Sequence, residues 1–120
     1  MPVRSAGILL YRHTPCGELE VLIAHMGGPF FATVHDSTVG GNVVVRGLHM
    51  CWFGLIRTQI AGNAQVIGNR FGDPDANEIV TNVVGGNLSC SNNVPGAQIG
   101  DSTGLPNTVG GQKRAECKNL

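Results

Sequence analysis

The chain has 120 residues, 8 basic and 8 acidic side chains, and a formal net charge of zero. That length suits one domain, or one domain with a short appendage. The zero balance argues against a nucleic-acid binder, which shows a basic excess, and no apolar run approaches the roughly 18 residues of a membrane span. With 42% apolar residues and 13% charged ones, the composition is not that of a disordered chain. Gly and Asn together make 28 of the 120 residues. Helices disfavour both types, so an all-β fold is expected.

At the N-terminus, Met1-Pro2-Val3-Arg4 is followed by a short apolar run, Gly7 to Leu10, which Tyr11-Arg12-His13 cuts off. This is no secretion signal, and the chain as it stands reads as cytoplasmic. Cys16, Cys51, Cys90 and Cys117 form no CxxC pair. In a reducing compartment they read as free, mostly buried thiols.

Residues 5 to 12 are apolar and strand-like, residues 13 to 17 supply Pro and Gly for a turn, and residues 18 to 25 are apolar again. Two such runs joined by a short Gly-containing loop predict a β-hairpin. The segment "RSAGILLYR", a turn, then "ELEVLIAHMGGPFFA" resembles the opening strands of Nudix hydrolases over residues 3 to 32. The catalytic Gly-x5-Glu-x7-Arg-Glu-x-x-Glu-Glu element of that family is absent. Between Phe31 and Asp73 the sole acidic residue is Asp36. The resemblance therefore implies the hairpin and no Nudix activity.

From residue 38 onward the sequence repeats itself. "TVGGNVVV", "QIAGNAQV", "VVGGNLSC" and "TVGGQKRA" place their second glycine at Gly41, Gly62, Gly86 and Gly111, in steps of 21, 24 and 25 residues. This predicts a short parallel β-helix, a β-solenoid of about four coils, with three strands per coil. A sandwich also shows frequent turn signals, but it does not predict the same tetrapeptide in every coil. Val43 and Val45, Ala64 and Val66, and Leu88 and Cys90 are expected to point inward. Asn at one corner of successive coils is expected to form a hydrogen-bonded ladder. The chain divides into a hairpin fragment, 1–37, and a repeat domain, 38–120. Residues 38–118 resemble the Gly-Asn-Val coils of bactofilin-like and other bacterial surface β-solenoids. That group is structural, with no catalytic residues to carry over. Some of its members are secreted, which would favour a Cys90–Cys117 disulfide.

All four histidines lie within residues 13 to 49. Imidazole ligates zinc and other transition metals. His25, His35 and His49 are therefore the candidate metal ligands, with Asp36 as a further ligand, an orienting carboxylate or a catalytic group. Residues 30 to 49, which supply His35, Asp36 and His49 and would wall such a site with Phe30 and Phe31, are expected to carry any activity. Asp73-Pro74-Asp75-Ala76-Asn77-Glu78 crowds oxygen donors of the kind calcium prefers. It lacks the EF-hand glycine and distal glutamate, and it reads as a polar excursion between coils. Met50-Cys51-Trp52-Phe53 is bulky for a thin coil and reads as a packing face for the hairpin or as an oligomer contact.

Two functions compete. The first is a self-assembling structural module whose partner is itself, as a homo-oligomer with a trimer favoured, and which binds neither nucleic acid nor membrane. The second is a small zinc-dependent hydrolase, acting on phosphoesters, with a histidine site at the hairpin–solenoid junction or an oligomer axis.

Overall fold

The computed structural model describes residues 8–13 and 19–24, as strands, and residues 31–120. A hairpin, β1 (Ile8–His13) and β2 (Leu19–Ala24), precedes thirteen short strands. These are β3 (Phe31–His35), β4 (Thr38–Val39), β5 (Asn42–Arg46), β6 (His49–Met50), β7 (Trp52–Ile56), β8 (Gln59–Ile60) and β9 (Ala64–Ile67). They continue as β10 (Arg70–Phe71), β11 (Glu78–Val80), β12 (Val83–Val84), β13 (Leu88–Ser91), β14 (Thr108–Val109) and β15 (Lys113–Ala115). A 3-10 turn, Glu116–Asn119, closes the chain.

The strands stack into four sheets, each one wall of a parallel β-solenoid of about four coils. The hairpin sheet runs β1-β2-β5-β9-β13-β15, and the β3 sheet runs β3-β7-β11. The β4 sheet is ordered β14-β12-β8-β4, and the β6 sheet pairs β6 with β10. Each coil passes from the β3 wall to the β4 wall, then to the hairpin wall and the β6 wall. The count is therefore four strands per coil, where the sequence suggested three. The two-residue strands on the narrow walls are too short to show an alternating pattern. Register follows the repeat: Val43 pairs with Ala64, Ala64 with Leu88, and Leu88 with Lys113, in steps of 21, 24 and 25 residues.

The expected inward residues Val43, Val45, Ala64, Val66, Leu88 and Cys90 are all fully buried. Stacked β-branched and aliphatic side chains fill the interior from coil to coil. Met50 and Phe53 also turn inward, and Phe53 stacks on Phe71 with ring centroids 6.1 Å apart. The expected packing or oligomer face at residues 50–53 is corrected here for these two residues, because the coil is wide enough to hold them. Trp52 is half-buried, and its indole N–H donates to the Asp75 carbonyl one coil on.

Corners make the stack possible. At the corner between the β4 and hairpin walls Asn42 Oδ1 accepts the N–H of Asn63, Asn63 that of Asn87, and Asn87 that of Gln112. The second glycine of each unit leaves room for this ladder: a Cβ on Gly62 or Gly86 would collide with the amide oxygen of the preceding coil's Asn. Two further ladders, buried and unforeseen, run through the molecule. In one, Asn69 Oδ1 accepts from Leu48 N, while Asn93 Oδ1 accepts from the N–H and side-chain NH2 of Asn69. In the other, Asn82 Oδ1 accepts from Thr58 N, and Asn107 Oδ1 from both Asn82 donors. Every ladder position except Asn107, which follows Pro106, comes after a residue in the left-handed region: Gly47, Gly68 and Asn92 in the first, Arg57 and Thr81 in the second. That conformation turns the chain sharply. The next peptide N–H then points into the core, where only a side-chain acceptor can reach it.

Each end of the stack carries a closing element. β2 pairs in parallel with β5 from Glu20↔Asn42 to Ile23↔Val45, so the hairpin caps the first coil there. At the far end Glu116 finishes the first buried ladder. Its carboxylate accepts from Asn93 N, Asn93 Nδ2 and Ala97 N. Leu120 is buried, and its carbonyl accepts from Asn107 N. Cys117 is disulfide-bonded to Cys90, with Cα atoms 5.3 Å apart and neither residue exposed. This corrects the free-thiol expectation for those two. The register places Ala115 beside Cys90, and the 3-10 turn that follows brings Cys117 to it, which four scattered cysteines do not reveal. Cys51 is a free, half-buried thiol, and Cys16 lies outside the described residues.

The ladders are unequal in depth, and their removal should separate accordingly. Asn82→Ala strands the Thr58 N–H and the Leu55 carbonyl in the core and should cost roughly 2–4 kcal/mol. Asn87→Ala, on the more exposed ladder, should cost about 1 kcal/mol. Urea unfolding of the two variants measures both values.

Candidate functional site

The described members of the expected histidine site are far apart in the fold. His35 ends β3, at the corner between the β3 and β4 walls. His49 begins β6, at the corner between the hairpin and β6 walls. The two corners are diagonally opposite, and both side chains are exposed. His25 lies outside the described residues, as do Phe30 and the Gly27-Gly28-Pro29 segment.

Asp36 occupies a left-handed turn beside His35. Its carboxylate takes two hydrogen bonds from the guanidinium of Arg57, one coil on, at 2.7 and 3.0 Å. His35 Nδ1 stands 2.8 Å from the same carboxylate. The Arg57 hydrogen bonds, then the His35 contact, hold the Asp36 carboxyl far below the usual carboxylate range. So tied, Asp36 takes up no proton near neutral pH. Its structural effect is to link two coils.

The grouping of chemistry-bearing side chains lies instead where the β6 wall meets the β3 wall, in the segment read as a solvated excursion. Residues 72–77 leave the coil there, and they are pinned rather than loose. Asp75 N donates to Asp73 Oδ1, Gln98 Nε2 to the carbonyls of Pro74 and Ala76, and Asn77 Nδ2 to the Pro95 carbonyl. Glu78 opens β11 with its side chain on the outer side of the wall, since Ile79 is inward. It is nevertheless only 1% exposed. The loop through Gly100 to Gly104 lies over this face: a Cβ on Gly100 would strike the Glu78 carboxyl, and one on Gly104 would strike Val80. Gly100 also has a φ of 67°, so both its conformation and its lack of a side chain are required.

One carboxylate oxygen each from Asp75, Glu78 and Asp101 lies within 4.8 Å of the others. Among the described residues this is the one cluster of three or more metal-ligating side chains. Glu78 Oε1 accepts the N–H of Asp101 at 3.2 Å. Its other oxygen, Oε2, is buried with no hydrogen-bond partner, and so is Oδ1 of the adjacent Asn77. Burial pushes the Glu78 carboxyl upward from its ordinary value. A hydrogen bond to Asp101, followed by burial and the charges of Asp101 and Asp73, does the same to Asp75. Among the described residues no cation neutralises the group: the carboxylate paired with a guanidinium is Asp36, with Arg57. The acidic run was visible in the sequence. Its third partner, Asp101, stands 23 residues beyond Glu78, close to one coil period, and that spacing was the available signal.

No family model matches the chain, and no curated protein or solved structure matches it either. Among the described residues, no helix is long and apolar enough to cross a membrane.

A carboxyl raised above its unfolded value favours the fold while it is protonated. For Glu78 and Asp75 that contribution is complete below about pH 4 and is lost as pH rises through the raised values. Cation-free protein should therefore lose stability from about pH 4 upward on account of this corner. Glu78→Gln should flatten that slope, which thermal unfolding across the pH range reads directly.

Proposed function

We propose that the chain is a self-assembling β-solenoid structural module. The observation that carries this reading is the asymmetry of the hairpin sheet. At one end it finishes on β15, whose Lys113 and Arg114 blunt an edge. At the other, among the described residues, it finishes on β1, whose apolar run Ile8-Leu9-Leu10-Tyr11 precedes Arg12 and His13 and holds neither proline nor lysine. Such an edge offers a row of backbone donors and acceptors to a second chain. Two copies meeting through β1 form an isologous contact, each strand serving as the other's neighbour. The resemblance of residues 38–118 to bactofilin-like coils supports an assembling role, and that of residues 3–32 to Nudix strands brings no catalytic residue with it.

The buried Cys90–Cys117 disulfide supports an oxidising compartment for the folded protein. That favours the secreted side of the bactofilin-like resemblance over the cytoplasmic expectation. The zinc-hydrolase reading has no comparable support, since its two described histidines occupy opposite corners.

Successive strand amides point to opposite sides, so either Leu9 or Leu10 directs its N–H to the open edge. Of Leu9→Pro and Leu10→Pro, one should keep the hairpin and abolish association. Light scattering of the unaltered chain should give a multiple of the 12.6 kDa protomer mass. A strict monomer at high concentration would overturn the proposal.

A further inference from the structure

The geometry points to a calcium site formed by Asp75, Glu78 and Asp101, which ties the loop after Gln98 to the third coil. Four observations converge on it. The donors are all carboxylate oxygens, the hard ligands that calcium takes, with no imidazole or thiolate among them. Calcium–oxygen bonds are about 2.3–2.6 Å, so two oxygens on one ion lie at most about 5 Å apart. The three carboxylates already fall within 4.8 Å of one another. Glu78 Oε2 is the decisive atom. It belongs to a side chain 1% exposed and it lacks any partner. The carboxyl is held against Gly100 and the Asp101 N–H, on the side where the other two acids stand. A buried carboxylate oxygen without a donor is costly, and a cation removes that cost. Finally, Asp101 is exposed and Asp75 half-buried, so the ion can enter from solvent and keep water ligands on its open side.

Calcium suits this corner better than magnesium. The oxygens come from two loops and a strand in an irregular arrangement, which the flexible six- to eight-fold shell of calcium tolerates. Magnesium demands near-ideal octahedral positions and releases its water reluctantly. Three carboxylates with one open side predict a dissociation constant between about 10 μM and 1 mM.

Trp52, the single tryptophan of the chain, provides the probe, because its indole N–H donates to the Asp75 carbonyl. Terbium added to the full chain should show luminescence sensitised through Trp52, and calcium should displace it more effectively than magnesium does. Calcium alone should raise the thermal midpoint. Asp101→Asn, at an exposed position, should weaken both effects tenfold or more while the circular dichroism spectrum stays unchanged. Glu78→Gln should do the same if it folds. Asp36→Asn, at the opposite end of the β3 wall, should leave binding intact. Absence of calcium-displaceable emission together with an unmoved midpoint would overturn the site. So would an Asp101→Asn protein that binds as tightly as the original, or an Asp36→Asn loss equal to that of Asp101→Asn.

Discussion

A peptide chain that turns four corners in each coil must satisfy the backbone groups it uncovers at every corner. In this protein side-chain amides do so. An Asn at a corner accepts the N–H of another coil through Oδ1, and in the two buried ladders its NH2 also donates to a carbonyl or to the next amide. Without such acceptors, the N–H groups of Leu48, Thr58, Asn69 and Asn82 would be buried and unpaired. The hydrophobic stack of Val, Ile and Leu supplies most of the burial. It is the amides that allow flat coils to close at this spacing, since each unmade bond would cost about 1–3 kcal/mol in the interior.

The same constraint explains the unusual termini of the ladders. A ladder built from Asn closes here on an acceptor of another kind. Glu116 fills that place in one ladder, with both carboxylate oxygens engaged, and the Leu120 carbonyl closes the other. The disulfide beside Glu116 holds the 3-10 turn in position over the last coil. The C-terminal end is thus a fitted lid. At the N-terminal end the hairpin covers one wall and presents a strand edge, so the two ends differ.

The acidic corner arises from two insertions into an otherwise regular period. Extra residues at 72–77 swing out from one corner, and extra residues after Gln98 fold back over the β3 wall. Neither segment builds a site alone. Together they bury a glutamate on the outer side of a wall, where the local strand pattern would leave it in water. The Asp36–Arg57 pair is the contrasting case: a corner with one carboxylate, compensated by a guanidinium and exposed, with structural consequences alone.

The sequence by itself determined the β class, the parallel solenoid, its 21, 24 and 25 residue steps and the inward positions of Val43 through Cys90. All of these follow from local periodicity, because each coil stacks residue over residue on its neighbour. The Gly-Gly-Asn ladder was legible for the same reason. The two buried ladders were not, although Asn69 and Asn93, and Asn82 and Asn107, keep the period. A lone Asn reads like any turn residue until its neighbours above and below are known. Only the tertiary structure decided that Met50 and Phe53 fit inside and that Cys117 reaches Cys90. It alone placed Glu78 beneath the loop that carries Asp101. Those outcomes depend on which segments lie over one another across a wall, and burial of that kind is a property of the assembled coils rather than of any stretch of chain.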